Sequence, residues 1–128
     1  MSLPDTAEIS IIIVSYNSAA VLADCLLSLL QQKTHLQYEI IVVDNASEDK
    51  SCQIVEEICP AARQCRLSNN LGYGAGCNAG AAIAQGRYLV FLNPRDSNGI
   101  LLRFIFKNSK NLKLVFISPN SKKVAATV

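Results

Sequence analysis

Apolar and polar positions fall in alternating blocks along this chain. Ile9-Ser10-Ile11-Ile12-Ile13-Val14 is almost wholly apolar and β-branched, the pattern of a parallel strand with both faces covered. Residues 19–32 then carry Leu22, Cys25, Leu26, Leu29 and Leu30 at three- and four-residue spacing, which predicts an amphipathic helix. Asn17 or Ser18 is suited to cap its start. A second strand, Glu39-Ile40-Ile41-Val42-Val43, ends at Asp44. Ser47 is expected to cap a second helix, with Glu48 and Asp49 at its positive end. That helix gathers Ile54, Val55 and Ile58 on one side and is stopped by Pro60. A weak strand over 63–67, a polar loop over 68–73 and a small-residue helix over 74–85, closed by Gly86, come next. The strand Tyr88-Leu89-Val90-Phe91-Leu92, a helix over 99–108 and a strand over 112–117 complete the pattern. Strands alternating with helices predict an α/β fold, a mostly parallel sheet with helices on both faces.

Composition narrows the class. The 128 residues suit a single domain. Half of them are hydrophobic and 17% charged, against about 25% charged in ordinary soluble domains. Collagen, coiled coil and intrinsic disorder are excluded. The net charge of +2 conceals an asymmetry: residues 1–94 balance to −4 and residues 95–128 to +6. Excess apolar surface and a basic end are expected of one part of a larger assembly, with 97–128 packing on something else or on a second copy. Five cysteines with no C-x-x-C pair, and a single histidine, His35, suggest neither a disulfide framework nor zinc. No leader pattern or membrane-length apolar run is evident, so the expected location is cytoplasmic.

The strand ends carry the chemistry. Each core strand runs into polar or small residues: Ser15-Tyr16-Asn17, Asp44-Asn45, Ser68-Asn69-Asn70 and Asn93-Pro94-Arg95-Asp96. In an open parallel sheet, ligands bind outside the carboxyl ends of the strands, where the strand order reverses. Right-handed crossovers bring these ends to one edge. Asp44 can accept the N3–H of a uracil or thymine ring, and Tyr16 offers a face for stacking. In the run Asn69 to Gly80, Gly72 permits close backbone approach, and a helix start favours anions such as a diphosphate. Asn69, Asn70, Gly72 and Asn78 are the candidate contacts there, whereas Gly76, Ala79 and Gly80 suit helix-to-sheet packing. Glycines at 74, 76 and 80, with Asp96 twenty residues after Gly76, also sketch a dinucleotide fingerprint. That motif should directly follow the first strand of its unit, and here it follows the weak third one.

Taken in order, Ile11-Ile12-Ile13-Val14-Ser15-Tyr16-Asn17, Ile41-Val42-Val43-Asp44-Asn45-Ala46-Ser47, Asn69-Asn70-Leu71-Gly72-Tyr73-Gly74 and Phe91-Leu92-Asn93-Pro94 resemble family 2 glycosyltransferases, particularly rhamnosyltransferase-like enzymes of bacterial polysaccharide and cell-wall assembly. The resemblance covers residues 9–96. It implies the Rossmann-like, nucleotide-binding half of a GT-A fold, a UDP- or dTDP-sugar donor, and a saccharide or lipid-linked acceptor. It further implies that Ser15, Tyr16 and Asn17 line the base and ribose, and that Asp44 reads the base edge with support from Asn45 and Ser47. Asn69, Asn70, Gly72 and Asn78 would approach ribose, diphosphate or sugar, beside Asn93. The family usually follows Asn-Pro with an aspartate that holds magnesium or manganese on the diphosphate. Here Arg95 takes that place and Asp96 stands one residue later, so weakened or lost metal binding is expected. Nothing after Asp96 is acidic, so the general base of an inverting transfer is expected in an acceptor half that this chain lacks. The chain is then expected to be the donor-binding part of such a transferase, with a catalytically inactive, truncated nucleotide-sugar-binding module as the alternative. The basic residues Arg103, Lys107, Lys110, Lys113, Lys122 and Lys123 offer contact with an anionic membrane face. They lack the interleaved aromatics of a nucleic-acid surface.

Overall fold

The computed structural model describes residues 8–31 and 37–94, together with the backbone of two strands at 114–117 and 125–127. In chain order the elements are β1 (Ile9–Ser15), α1 (Ala19–Leu30), β2 (Tyr38–Asp44), α2 (Ser51–Ile58), β3 (Arg63–Arg66), α3 (Tyr73–Ile83), β4 (Tyr88–Leu92), β5 (Leu114–Ile117) and β6 (Ala125–Thr127). They form one sheet in the order β3-β2-β1-β4-β5-β6. The pairs from β3 through β5 are parallel, and β6 runs antiparallel to β5. The α/β fold and its mostly parallel sheet are as the hydrophobic pattern predicts.

Every residue of β1 and β2 is buried, because the two strands lie at the centre with a layer on each face. Side chains alternate across the sheet. Ile9, Ile11 and Ile13, with Ile40 and Val42, meet Leu22, Cys25, Leu26 and Leu29 of α1 and Val55 of α2. Ile12, Val14, Ile41 and Val43 face α3, with Phe91 of β4 in the same cluster. α3 is rich in small residues because it lies directly on the strands. A Cβ at Gly76 would meet Val14, and one at Gly80 would meet Ile12 and Val43. The short edge strand β3 exposes Arg63 and Arg66, charges that discourage edge-to-edge pairing.

The chain steps outward from β1 to β2 to β3, then α3 carries it back across β2 and β1 to β4. The strand order therefore reverses between β1 and β4, and a crevice opens there at the carboxyl ends.

Several local expectations change. α1 ends at Leu30, β2 begins at Tyr38, α2 begins at Ser51 and α3 covers Tyr73–Ile83. β6 has no counterpart in the sequence pattern. Residues 99–108, 112–113 and the basic side chains beyond position 94 lie outside the described residues. All five cysteines are free thiols, with Cys25 and Cys59 buried.

Candidate functional site

The crevice at the switch point is a cleft of roughly 290 Å³, at the lower end of small-molecule sites. Val14, Tyr16 and Ser18 line it from the end of β1, Asn45 from the end of β2, Asn70, Gly72 and Tyr73 from the start of α3, and Asn93 and Pro94 from the end of β4. Three strand ends and one helix start, distant in sequence, thus meet. Tyr16, Asn45, Asn70, Gly72 and Asn93 are among the expected site residues, whereas Val14, Ser18, Tyr73 and Pro94 are additional lining residues. Their signal was adjacency to the polar clusters.

Asn45 is the joint of the cleft. It is buried, and its Nδ2 donates to the Gly72 carbonyl at 2.9 Å while its Oδ1 accepts from the Leu71 N–H at 3.4 Å. Gly72, at φ +93°, holds a left-handed turn that a side chain would strain. Asn70 Oδ1 accepts from the Gly72 N–H at 2.9 Å, so the loop is tied at both ends just before the N-terminus of α3. Tyr16 remains 48% exposed, its ring open to a planar partner.

Ser15 and Asp44 are paired in register across β1 and β2. The strand pleat puts both on the α1/α2 side, opposite Val14, so neither lines the cleft. Both are buried, and Ser15 Oγ and Asp44 Oδ1 have no hydrogen-bond partner among the described residues. Asp44 Oδ2 accepts from the Ser47 N–H at 2.9 Å. Burial pushes the neighbouring Cys52 thiol upward, and the Asp44 charge pushes it further against the opposing charge of Arg66. Asn69 and Asn78 are exposed and do not line the cleft. Asn78 sits on α3 two residues from both Gly76 and Gly80, which pack on the sheet, so it faces away from the strands.

The capping expectations are corrected. Ser47 does not cap α2, nor do Asn17 and Ser18 cap α1 with their side chains. Instead the two turns hold each other: Asn17 N–H donates to Ser47 Oγ at 2.9 Å and Glu48 N–H donates to Asn17 Oδ1 at 2.9 Å. Ser18 N–H donates to Ser51 Oγ at 3.2 Å, and Ala19 N–H to Asp49 Oδ2 at 3.1 Å. The other carboxylate oxygen of Asp49 accepts from Ser51 N–H at 3.0 Å and from the Ser51 hydroxyl. Its slight burial would raise the Asp49 carboxyl, but hydrogen bonds from Ser51 and Ala19 outweigh that and hold it below the usual carboxylate range. Asn17 and Ala46 adopt positive φ, +46° and +63°, a strain the interlock sustains.

Among the described residues, no carboxylate, histidine or lysine lines the cleft. Among the described residues, no group of three His, Cys, Asp or Glu side chains is placed to hold a metal ion. Arg95 and Asp96 lie outside the described residues. No helix among the described residues is long and apolar enough to cross a membrane.

Residues 10–94 match the model of Glycosyl transferase family 2. The chain belongs to this family. Among curated glycosyltransferases it is 37% identical over 92 residues to an uncharacterized glycosyltransferase of Nostoc sp., covering 70% of this chain and 28% of that protein. It is 35% identical over 111 residues to the poly(ribitol-phosphate) beta-glucosyltransferase of Bacillus spizizenii, covering 81% of this chain and 18% of that one. The chain thus spans less than a third of either relative. Among solved structures, S. aureus TarS 1-349 in complex with UDP-GlcNAc matches with a TM-score of 0.68 and 27% identity, over 81% of this chain and 32% of that one. The family's GT-A fold accords with the strand order. Of the glycines in the dinucleotide-like stretch, Gly76 and Gly80 pack α3 on the sheet while Gly74 meets nothing, and the stretch follows β3, not β1, which disfavours that alternative.

Proposed function

We propose that the cleft binds the nucleoside diphosphate of a UDP- or dTDP-sugar, and that the chain is the donor-binding part of an inverting family 2 glycosyltransferase serving polysaccharide or cell-wall assembly. The observation that carries this reading is the convergence of the β1, β2 and β4 ends with the start of α3 on one cleft at the switch point. The UDP-GlcNAc complex of the TarS neighbour supports it.

Tyr16 stacks the base, with Asn17 and Ser47 holding its loop, and Asn45, Asn70 and Asn93 approach the ribose and diphosphate. The positive end of α3 favours the phosphates. The Asp44 carboxylate and the Ser15 hydroxyl are an acceptor and a donor of the kind that complements the imide edge of uracil or thymine. Both are buried on the α1/α2 side of the strand ends and neither lines the cleft, so base reading by them requires the strand ends to rearrange. Asn69 and Asn78 do not line the cleft, so their expected contact with ribose, diphosphate or sugar has no support in its wall. The cleft binds and orients, and the base that deprotonates the acceptor hydroxyl comes from outside its described wall. Because Arg95 stands where the family carries a carboxylate, nucleotide binding is expected to survive chelation. Metal-dependent UDP binding that disappears in Asp96→Ala would reverse this expectation.

The test is thermal-shift and calorimetric titration with UDP, dTDP, GDP and NAD, followed by a panel of UDP-glucose, UDP-GlcNAc and dTDP-rhamnose. A ligand at a hundred times its Kd stabilises by about 2.7 kcal/mol, readily seen in Tm. Stabilisation by UDP or dTDP but not NAD is expected. The opposite pattern refutes the proposal, and the sugar panel decides between the rhamnosyl expectation and the glucosyl chemistry named for the Bacillus relative. Lipid-linked acceptors are tested by co-sedimentation with anionic liposomes, where retention is expected to fall with salt.

A further inference from the structure

We infer that Asp49, which touches no part of the cleft, is a positioning residue for it, acting through the backbone that carries Tyr16 and Ser18. This inference rests on the nucleotide-binding reading only for its effect on affinity; the positioning itself is independent of the ligand.

Three consecutive backbone N–H groups, those of Asn17, Ser18 and Ala19, are each accepted by a side chain from the β2–α2 turn or the first residue of α2: Ser47, Ser51 and Asp49. α1 has no side-chain cap of its own. The only described side-chain acceptor for its first N–H is therefore a carboxylate 30 residues away in sequence. Asp49 uses its second oxygen on Ser51, so one carboxylate serves the starts of both α1 and α2 while Ser51 in turn holds Ser18. Ser18 lines the cleft, and it exchanges hydrogen bonds with the backbone of Tyr16 at 3.3 and 3.1 Å. The path from Asp49 to the aromatic wall is thus a short chain of hydrogen bonds. Removing Asp49 frees the start of α1 and takes away the acceptor of both the Ser51 N–H and the Ser51 hydroxyl, and the Tyr16 segment loses its fixed place.

The test uses the 128-residue chain with UDP as probe. Asp49→Ala is compared with Asp49→Asn, which keeps one acceptor oxygen, and with Arg63→Ala, which breaks an ion pair remote from the cleft. Calorimetry well below each Tm is expected to show UDP affinity reduced about fivefold or more in Asp49→Ala, an intermediate loss in Asp49→Asn and less than about a twofold change in Arg63→Ala. Amide hydrogen exchange is expected to accelerate at Ser18 and Ala19 in Asp49→Ala while the β1 and β2 amides stay protected. Unchanged exchange at these two amides, or unchanged affinity in a variant that binds UDP, overturns the inference. If the parent chain does not bind UDP, the nucleotide reading fails and the exchange result alone decides the positioning role.

Discussion

At the opposite edge of the sheet from the cleft, Glu39 is 4% exposed and makes a sharp test of how this fold is closed. Register pairs Ser10 with Glu39 across β1 and β2, and the Ser10 hydroxyl donates to Glu39 Oε2 at 2.6 Å. The Gln85 N–H donates to the same oxygen at 2.6 Å. Arg63 Nη1 donates to Oε1 at 3.0 Å and to the Ile83 carbonyl at 2.7 Å. The carboxylate thereby pins the end of α3 to the sheet. Glu39→Gln preserves shape, but its NH2 must face either Arg63 or the Ser10 and Gln85 donors, so at least one charge-assisted bond becomes a clash of donors. Hydrogen bonds to charged groups are worth about 1.5–3 kcal/mol each. Arg63 is 41% exposed on its side chain, so its own share is discounted for solvent, leaving a net cost of about 2–3 kcal/mol. At about 4 °C per kcal/mol, Tm falls by about 10 °C.

The charge has a pH signature. Burial alone would raise the Glu39 carboxyl, yet the hydrogen bonds from Ser10, Gln85 and Arg63, with the Arg63 charge, hold it below the usual range. A depressed folded pKa contributes stability that is complete above the unfolded value of about 4.3 and is lost as pH falls through the folded one. Urea unfolding followed by circular dichroism should therefore show a large difference between parent and Glu39→Gln at pH 7 that shrinks towards pH 3. A difference under about 0.5 kcal/mol at pH 7, or one equal at both pH values, would refute the role assigned to the charge.

Three further outcomes are expected. Gly86→Ala places a Cβ 2.6 Å from the Ser10 nitrogen and 2.7 Å from the Ile9 carbonyl carbon; backbone cannot yield as a side chain does, so a loss of about 2–4 kcal/mol in chemical unfolding is expected. Tyr16→Ala should weaken UDP binding about tenfold by calorimetry, since base–aromatic stacking is worth about 1–3 kcal/mol, while Tyr16→Phe retains affinity. Burial pushes the thiols of Cys59 and Cys77 up, so both should react slowly with a disulfide reagent at pH 7.5 and rapidly once urea unfolds the chain, as read by mass spectrometry of the labelled peptides.

Much of this architecture is local and therefore legible in one dimension. An uninterrupted β-branched run such as 9–14 reports a strand covered on both faces, and leucines at helical spacing report α1, because side-chain direction repeats every two residues in a strand and every 3.6 in a helix. The polar strand ends were legible for the same reason, since a strand must leave the apolar layer where its partners end. Which polar residues reach the cleft was not. Asp44 and Asn45 are adjacent in sequence, yet the pleat sends Asp44 to the α1/α2 side and leaves Asn45 on the cleft wall. Capping by Ser47 is the local expectation for a serine before a helix, but Asp49, reaching both helix starts, gains two sets of donors and prevails. Ser10 and Glu39 carry no local signal of their pairing, which comes from the register of β1 and β2. Local periodicity set the elements and their buried faces. Register, crossover and pleat decided the cleft, the interlocked turns and the buried carboxylate, because the contacts that join them span 24 or more positions and exist only once the sheet is assembled.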